Sequence, residues 1–191
     1  MEFSYHAIGV LRTPFPKAEG APIQPAGALG VAGELEFLPE YAAGLADLDG
    51  FSHLIVLYHL HQVKKMSLTV TPFLDATQRG LFATRAPCRP NPIGLSVVRL
   101  ISVEGHVLKL ENVDMVDGSP VLDVKPYVAA FDSWPDSTSG WLERCAGRAG
   151  GMRADTRFSD CRDGGVPGAG ECADTPGGPR SGGKDGGGEG A

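Results

Sequence analysis

The sequence predicts a mainly β protein: a small antiparallel β-barrel with short helical pieces and a disordered, glycine-rich C-terminal tail. Many short segments combine β-branched and apolar residues in the patterns that strands show. The one convincing helical piece, Pro39–Leu48, is short and begins with proline. Many short strands with almost no helix favour a closed or nearly closed barrel. The sequence has no glycine-rich strand–turn–helix fingerprint, which argues against a doubly wound sheet with a Rossmann-type cofactor site.

Each predicted strand has its own pattern. Tyr5–Arg12 is rich in β-branched and apolar residues, and Gly33–Leu38 alternates acidic with apolar residues, as a half-buried strand does. Ser52–His61 is a largely apolar run typical of a central strand. Val107–Val113 follows a turn at Glu104–Gly105, which predicts a hairpin with the strand before it. The remaining predicted strands are Ser67–Thr71, Gly80–Arg85, Leu95–Val103 and Pro120–Lys125.

Composition divides the chain into a folded domain at residues 1–142 and a low-complexity tail at residues 143–191. From Gly150 onward apolar residues are sparse and glycine dominates. Such a segment buries too little apolar surface to offset its ordering entropy, so we expect disorder. Arginines spaced by four or five residues would give a short helix a basic face, although a solvated tail is the simpler interpretation. These arginines are Arg144, Arg148, Arg153, Arg157 and Arg162.

Charge and hydropathy restrict the function classes. The net charge of −6 argues against a broad nucleic-acid-binding surface, so any RNA contact must be local. The sequence contains no apolar stretch of about 18 residues and no N-terminal signal pattern, which predicts a soluble, cytoplasmic protein without membrane contact. The 4 cysteines form no CxxC pair, so we expect free thiols rather than a disulfide framework or a zinc ribbon.

The most informative segment is Leu81–Ser96 (LFATRAPCRPNPIGLS), in which prolines alternate with Arg85, Arg89 and Asn91. Proline fixes φ and pushes the preceding residue into extended backbone, so the segment should be a stiff, non-helical track. Polar groups on a rigid track lose little entropy when they bind a ligand. Arg85 is therefore a candidate for gripping a carboxylate or phosphate, with a salt bridge to a nearby aspartate as the alternative.

A second dense segment, Val113–Tyr127, contributes carboxylates, a lysine and a tyrosine. Asp114 or Glu111 is suited to accept hydrogen bonds from ribose hydroxyls or an adenine amino group. Lys125 and Tyr127 close the last strand beside the turn, where they would either orient a substrate or pack at the rim. Together the two segments predict one site.

A metal site is the weaker interpretation of His59 and His61. Two residues apart on a strand, they should face the same side, as metal ligands or as packing residues. A third ligand is not evident in the sequence, and we predict no metal. A metal-dependent hydrolase built on these histidines and the aspartates remains a rival interpretation.

The runs FATRAPCRPNPIGLSVVRL and VDMVDGSPVLDVKPYV, preceded by IGVLRTPF and LDGFSHLIVLYHLHQ, resemble the TsaA-like, or TrmO, family. The motifs keep the family's order and approximate spacing from Tyr5 to Asp132. Characterised bacterial members are S-adenosylmethionine-dependent methyltransferases with a small β-barrel. They methylate N6 of threonylcarbamoyl-adenosine beside the tRNA anticodon. The resemblance implies the same fold, methyl donor and tRNA substrate for this chain.

The resemblance also implies roles for individual residues. Arg85 would contact the methyl donor, and His61 with Gln62 would lie against its adenosine part. The loop Thr13–Gly30 would cover the donor, although Ile23 stands where the family usually has arginine. The predicted cofactor-binding residues are Gln24, Pro25, Ala26, His61, Gln62, Arg85, Leu95, Glu111, Asn112, Val113 and Asp114.

For the methyl acceptor, the predicted catalytic residues are Asp114, Asn91 and Arg89. Asp114 or a nearby backbone carbonyl would accept a hydrogen bond from the N–H of the reacting nitrogen. The predicted substrate-binding residues are Arg89, Asn91, Lys125 and Tyr127. A single small barrel would contact little RNA, so we expect a homodimer. A non-catalytic module that senses S-adenosylmethionine, or a methyltransferase of another acceptor, is the alternative.

Overall fold

The computed structural model describes residues 1–158. The strands are β1 (Gly9–Arg12), β2 (Ala32–Phe37), β3 (His53–His59), β4 (Thr69–Val70), β5 (Arg79–Gly80), β6 (Ile93–Glu104), β7 (Val107–Glu111) and β8 (Pro120–Pro126). Six of them close an antiparallel barrel in the order β1-β2-β7-β6-β3-β8, and β4 pairs with β5 in a separate two-stranded sheet. The predicted mainly β barrel is confirmed.

The helical pieces are short. The predicted helix at Pro39–Leu48 consists of two 3-10 turns, because Asp47 between them has a left-handed φ of 63°. A four-residue α-helix follows the barrel at Ala129–Asp132. The 3-10 helices are Pro25–Gly27, Pro39–Leu45, Leu48–Gly50, Leu81–Ala83, Gly140–Arg144, Ala146–Gly151 and Thr156–Phe158.

The barrel interior is filled by alternate residues of each strand. Strand β3 alternates strictly between buried and half-buried residues, as a strand with one face on the core does. The predicted hairpin is present: β6 and β7 pair from Glu104 opposite Val107, across a turn in which Gly105 has a φ of 66°. The core side chains include Leu11, Leu35, Leu54, Val56, Val98, Leu108, Leu110 and Val121.

The predicted strand Gly80–Arg85 is wrong. Pairing stops at Gly80, and Leu81–Ala83 forms a 3-10 turn. The hydroxyl of Thr84 donates to the carbonyl oxygen of Leu81 at 2.7 Å and closes this turn. Leu81 is buried in a small second cluster outside the barrel, so its burial does not require a strand. Arg85 therefore leaves a turn rather than a strand end.

The packed part of the chain extends beyond the predicted boundary at residue 142. Cys145 and Ala149 are buried against Leu74, and Arg148 and Arg157 donate to backbone carbonyl oxygens. A few apolar side chains and the hydrogen bonds of two arginines thus pack residues 143–158, which have too little apolar content to be recognised by composition. The predicted disordered tail otherwise falls on residues 159–191, outside the described residues.

The expectation of free thiols is wrong for the described cysteines. Cys88 and Cys145 are each part of a disulfide bond, and residues 1–158 contain no free cysteine. Both residues are completely buried. Spacing along the chain detects CxxC pairs but not cysteines that folding brings together. Within residues 1–158 none of the helices has the length and apolarity needed to cross a membrane.

Candidate functional site

A cavity of about 930 Å³ opens at one end of the barrel. It lies between the loop at residues 13–30, the chain after β3, the proline-rich track and the segment before β8. Its volume is typical of a small-molecule site. Seven of the predicted site residues line it: Gln24, His61, Gln62, Arg85, Arg89, Leu95 and Asp114.

Arg85 and Gln24 meet across the cavity mouth. Nη1 of Arg85 donates a hydrogen bond to Oε1 of Gln24 at 2.8 Å, although 61 residues separate them. Gln24 directly precedes the proline-initiated turn Pro25–Gly27, which fixes its backbone. This hydrogen bond uses one of the five N–H donors of the guanidinium. The remaining donors can grip an anionic group of a ligand.

Asp114, Ser96 and Tyr58 form a polar network at the inner end of the cavity. The Ser96 hydroxyl donates to Oδ1 of Asp114 at 2.7 Å, and its oxygen lies 3.4 Å from the Tyr58 hydroxyl. Burial raises the pKa of Asp114 to about 6, although the Ser96 hydrogen bond and the charge of Arg85 oppose this effect. Burial and the Asp114 charge also raise the pKa of Tyr58. Near neutral pH, Asp114 can therefore exchange a proton while Tyr58 stays protonated.

The Tyr58 ring packs over Gly94, where a larger residue would leave no room for it. The two residues are partners in the β3–β6 register, and a Cβ on Gly94 would lie against the Tyr58 ring carbons. We predict that Gly94→Ala lowers the free energy of unfolding by about 1–3 kcal/mol, the usual cost of overpacking. Urea titration measures this change. In Gly80→Ala, where a Cβ meets nothing within 4 Å, stability should change little; an equal loss would contradict the ring contact as the cause.

His61 and Gln62 line the cavity just beyond the end of β3. The Gln62 side chain accepts from the backbone N–H of Ala18 at 3.3 Å and donates to the carbonyl oxygen of Pro16 at 3.1 Å. Gln62 thus ties the loop at residues 13–30 to the barrel. Nδ1 of His61 lies 3.3 Å from the Ser119 hydroxyl. Within residues 1–158 no cluster of three or more His, Cys, Asp or Glu side chains could hold a metal ion.

The sequence model of the tRNA-methyltransferase O N-terminal domain matches residues 10–133. The chain belongs to the TrmO family. The match spans the barrel strands from Val10 of β1 onward and every cavity residue named so far. The resemblance seen in the sequence motifs is confirmed.

Two relatives and one solved structure place the chain within the TrmO family. A Pyrococcus abyssi protein named "probable S-adenosyl-L-methionine-binding protein" is 44% identical over 154 residues, which are 81% of this chain and 84% of that protein. The tRNA (adenine(37)-N6)-methyltransferase of Escherichia coli is 38% identical over 151 residues, 74% of this chain and 64% of the enzyme. The crystal structure of TrmO from Pseudomonas aeruginosa superposes with a TM-score of 0.63 at 38% identity, covering 74% of this chain and 63% of that one.

The run Glu111–Asp114 sends only one side chain into the cavity of this TrmO-family protein. Glu111 is the last residue of β7 and pairs with Arg99 at 3.0 Å outside the barrel. Asn112 has a left-handed φ of 66° and accepts from the backbone N–H of Gly30 at 2.9 Å, while Val113 is a core residue. Glu111, Asn112 and Val113 therefore do not line the cavity, because consecutive residues leaving a strand point in different directions; their contacts with the donor stay predictions.

Pro25 and Ala26 also do not line the cavity: they form the 3-10 turn that holds Gln24. Asn91 is exposed on the track outside the cavity. A donor contact of Pro25 or Ala26, and a substrate contact of Asn91, each require a ligand that extends beyond the cavity.

Lys125 and Tyr127 lie at the opposite end of the barrel from the cavity. The backbone N–H of Tyr127 donates to the carbonyl oxygen of His53, the first residue of β3, whereas the cavity lies beyond the last. Lys125 forms an ion pair with Asp123 at 2.6 Å. The prediction placed both residues beside the turn at Gly118, but β8 runs away from that turn along the whole length of β3.

Sequence reasoning missed several residues of the cavity wall, among them Tyr58, Ser96, Phe73 and Phe158. Tyr58 and Ser96 occupy inward positions of β3 and β6, so strand alternation contains the signal for them. Phe73 and Phe158 reach the cavity from segments outside the barrel strands, and no local pattern marks them.

Proposed function

We propose that this protein is an S-adenosylmethionine-dependent tRNA (adenine-N6)-methyltransferase, and that its acceptor is threonylcarbamoyl-adenosine beside the anticodon. The observation that carries the proposal is the cavity itself, in which Arg85 and Asp114 come together from the two signature segments. The name of the Escherichia coli relative supports the methyltransferase and the tRNA. The name of the Pyrococcus abyssi relative mentions only donor binding, so the second candidate function is a protein that binds the donor without a methyl acceptor.

The cavity residues fit S-adenosylmethionine, which supplies a methyl group on a positively charged sulfur when bound. Arg85, held by Gln24, matches a carboxylate. Tyr58, Leu60 and Leu95 offer apolar surface for the adenosine part, with His61 and Gln62 at its edge. Of the predicted donor-binding residues that line the cavity, we assign His61, Gln62, Arg85, Leu95 and Asp114 to the donor directly, and Gln24 to the donor site through its hydrogen bond to Arg85.

Asp114 is placed to manage the proton of the acceptor. An exocyclic adenine nitrogen is a weak nucleophile, and its N–H becomes acidic as the nitrogen bonds to carbon. A carboxylate with a pKa of about 6 is mostly ionised at neutral pH and still basic enough to accept that proton. Ser96 fixes the other face of the carboxylate through Oδ1.

The acceptor RNA would approach over Phe82 and Arg89. The Phe82 side chain is 72% exposed, and the Arg89 guanidinium lies 5.6 Å from its ring centre. Nη1 of Arg89 also donates to the carbonyl oxygen of Thr84 at 3.1 Å, which holds it over the ring. A fixed cation on an exposed aromatic ring is the usual platform for an unpaired base. Lys64 and Lys65 follow the cavity residue Val63 and add local positive charge to an acidic protein.

We predict that Phe82→Ala raises KM for tRNA about tenfold, since stacking on one base contributes about 1–3 kcal/mol, and leaves donor affinity unchanged. Steady-state methylation kinetics and calorimetry measure the two quantities. Trp134→Ala removes an aromatic side chain that is 77% exposed elsewhere and should leave both unchanged. Equal effects of the two substitutions would contradict a specific platform.

We further propose a cytoplasmic homodimer, because the rim of one small cavity contacts too little RNA for tight binding. Light scattering of the purified protein tests this, and a monomer at assay concentration would contradict it.

The decisive experiment incubates the protein with S-adenosylmethionine and threonylcarbamoylated tRNA and weighs the digested nucleosides. We expect one added methyl on the modified adenosine, and none on tRNA that lacks the threonylcarbamoyl group. Methylation of both tRNAs would support the methyltransferase activity but contradict threonylcarbamoyl-adenosine as the required acceptor. Donor binding without methylation would favour the second candidate.

A further inference from the structure

We infer that residues 140–158, the C-terminal clamp, are a working part of the ligand site: they hold the two loops that carry Gln24 and Arg85 and supply an aromatic wall of the cavity. The clamp lies outside the residues 10–133 that match the family domain. The identity of the ligand rests on the proposed function. The mechanical role of the clamp does not.

The clamp grips the first loop on both sides of Gln24. The backbone N–H of Gly20 donates to the carbonyl oxygen of Ala154 at 2.8 Å, and the N–H of Ala154 donates to that of Ala21 at 2.8 Å. After Gln24, the turn Pro25–Gly27 lies on the 3-10 helix Ala146–Gly151 so closely that a Cβ on Gly27 would meet the backbone oxygens of that helix within about 3.3 Å. The clamp therefore contacts the chain on both sides of Gln24.

The clamp also holds the loop that leads to Arg85. Nε1 of Trp141 donates to the carbonyl oxygen of Ala83 at 2.7 Å, and the Arg79 guanidinium lies 5.5 Å from the centre of the Trp141 ring. Nη1 of Arg157 donates to the carbonyl oxygen of Pro72 at 2.7 Å. One segment thus links the loop of Gln24 to the loop of Arg85, and the hydrogen bond between these two side chains depends on that link.

The end of the clamp forms part of the cavity wall. Ala154 and Phe158 line the cavity, and the Phe158 ring meets the Phe73 ring edge to face at 4.9 Å between centres. The Arg157 guanidinium lies 4.8 Å from the centre of the Phe73 ring on a side chain that is only 7% exposed. An aromatic wall of this kind suits the flat base of a nucleoside. We assign it to the base of the donor, because the same segment positions the donor-binding loop.

The test uses two full-length variants and the unreactive product S-adenosylhomocysteine as the probe. Phe158→Ala removes the wall, and Arg157→Met removes the link to Pro72 without changing a residue that lines the cavity. We expect calorimetry to show about tenfold weaker binding in both, because Phe158→Ala removes an aromatic contact to the base and Arg157→Met loosens the segment that carries Phe158 and the loop of Gln24. KM for tRNA should stay unchanged. Trp134→Ala is the matched control.

Amide hydrogen exchange separates positioning from general destabilisation. In Arg157→Met, the amides of Gly20 and Ala154 should exchange at least tenfold faster, while those of the core residues Val98 and Leu110 keep their protection. Faster exchange of all four amides, or unchanged probe binding in both variants, would overturn the inference. If the wild type binds no probe, the proposed function fails, and the exchange rates alone decide whether the clamp holds the loops. Should Phe158→Ala not fold, Phe158→Leu replaces it.

Discussion

Arg85→Ala is expected to weaken binding of the methyl donor by at least about 100-fold, because hydrogen bonds to a charged group contribute about 1.5–3 kcal/mol each and a guanidinium makes two to a carboxylate. Removing Arg85 also leaves Gln24 without the partner that fixes it over the cavity. Calorimetry with S-adenosylhomocysteine measures the loss, and methyl transfer at a fixed donor concentration should fall in parallel.

Arg99→Ala is the matched control for this substitution. Arg99 likewise donates a side-chain hydrogen bond through Nη1, in its case within an ion pair with Glu111 at 3.0 Å, but on the outside of the barrel with its side chain 54% exposed. Its removal should leave donor binding unchanged. Gln24→Ala should lose affinity by a smaller factor, and the double variant should be no worse than Arg85→Ala alone, since the two side chains act as a unit. Additive losses would mean that Gln24 contacts the donor independently.

The barrel was predictable because each of its strands carries a signal of its own. Alternation in β2 and β3, and the turn at Gly105, determine which residues face inward and which strands neighbour each other. The short, irregular pieces were not predictable in the same way. Leu81 has the composition of a strand residue but is buried by a small cluster outside the barrel, and only tertiary packing decides between the two.

The candidate site shows the same division. Arg85 and Asp114 lie on segments whose composition is unusual for folding alone, and both line the cavity. Lys125 and Tyr127 lie away from the cavity, although they are near Gly118 in sequence. The sequence does not show the direction in which β8 runs from that turn. The packing of Phe158 and the rest of the clamp was not predicted, because amino-acid composition is averaged over a window of residues. A few buried side chains pack residues 143–158 in an otherwise polar, glycine-containing stretch.

Asp114→Asn is expected to lower kcat by about 100-fold or more, the usual contribution of a positioned general base, with donor affinity nearly unchanged. The amide can still accept from Ser96 through Oδ1 but cannot take a proton. In the wild type, the rate should fall as the pH drops through about 6, where Asp114 becomes protonated. The variant should lose this limb of the pH profile. A variant with full turnover would remove Asp114 from the chemistry.

The stability of the same variant provides an independent check on the state of Asp114. Burial raises its pKa in the folded protein above the ordinary value of 3.8 to about 6, so the folded state favours the protonated form. The contribution of Asp114 to the free energy of unfolding is therefore fully present below about pH 4 and is lost as the pH rises through about 6. At pH 8, Asp114→Asn should be more stable than the wild type, by at most about 3 kcal/mol. The two proteins should have equal free energies of unfolding near pH 3.5.

A variant that is slower but more stable at pH 8 identifies Asp114 as a group held in a costly ionised state for catalysis. Urea titration at the two pH values decides this, because loss of both stability and activity at pH 8 would instead mean that the carboxylate supports the fold.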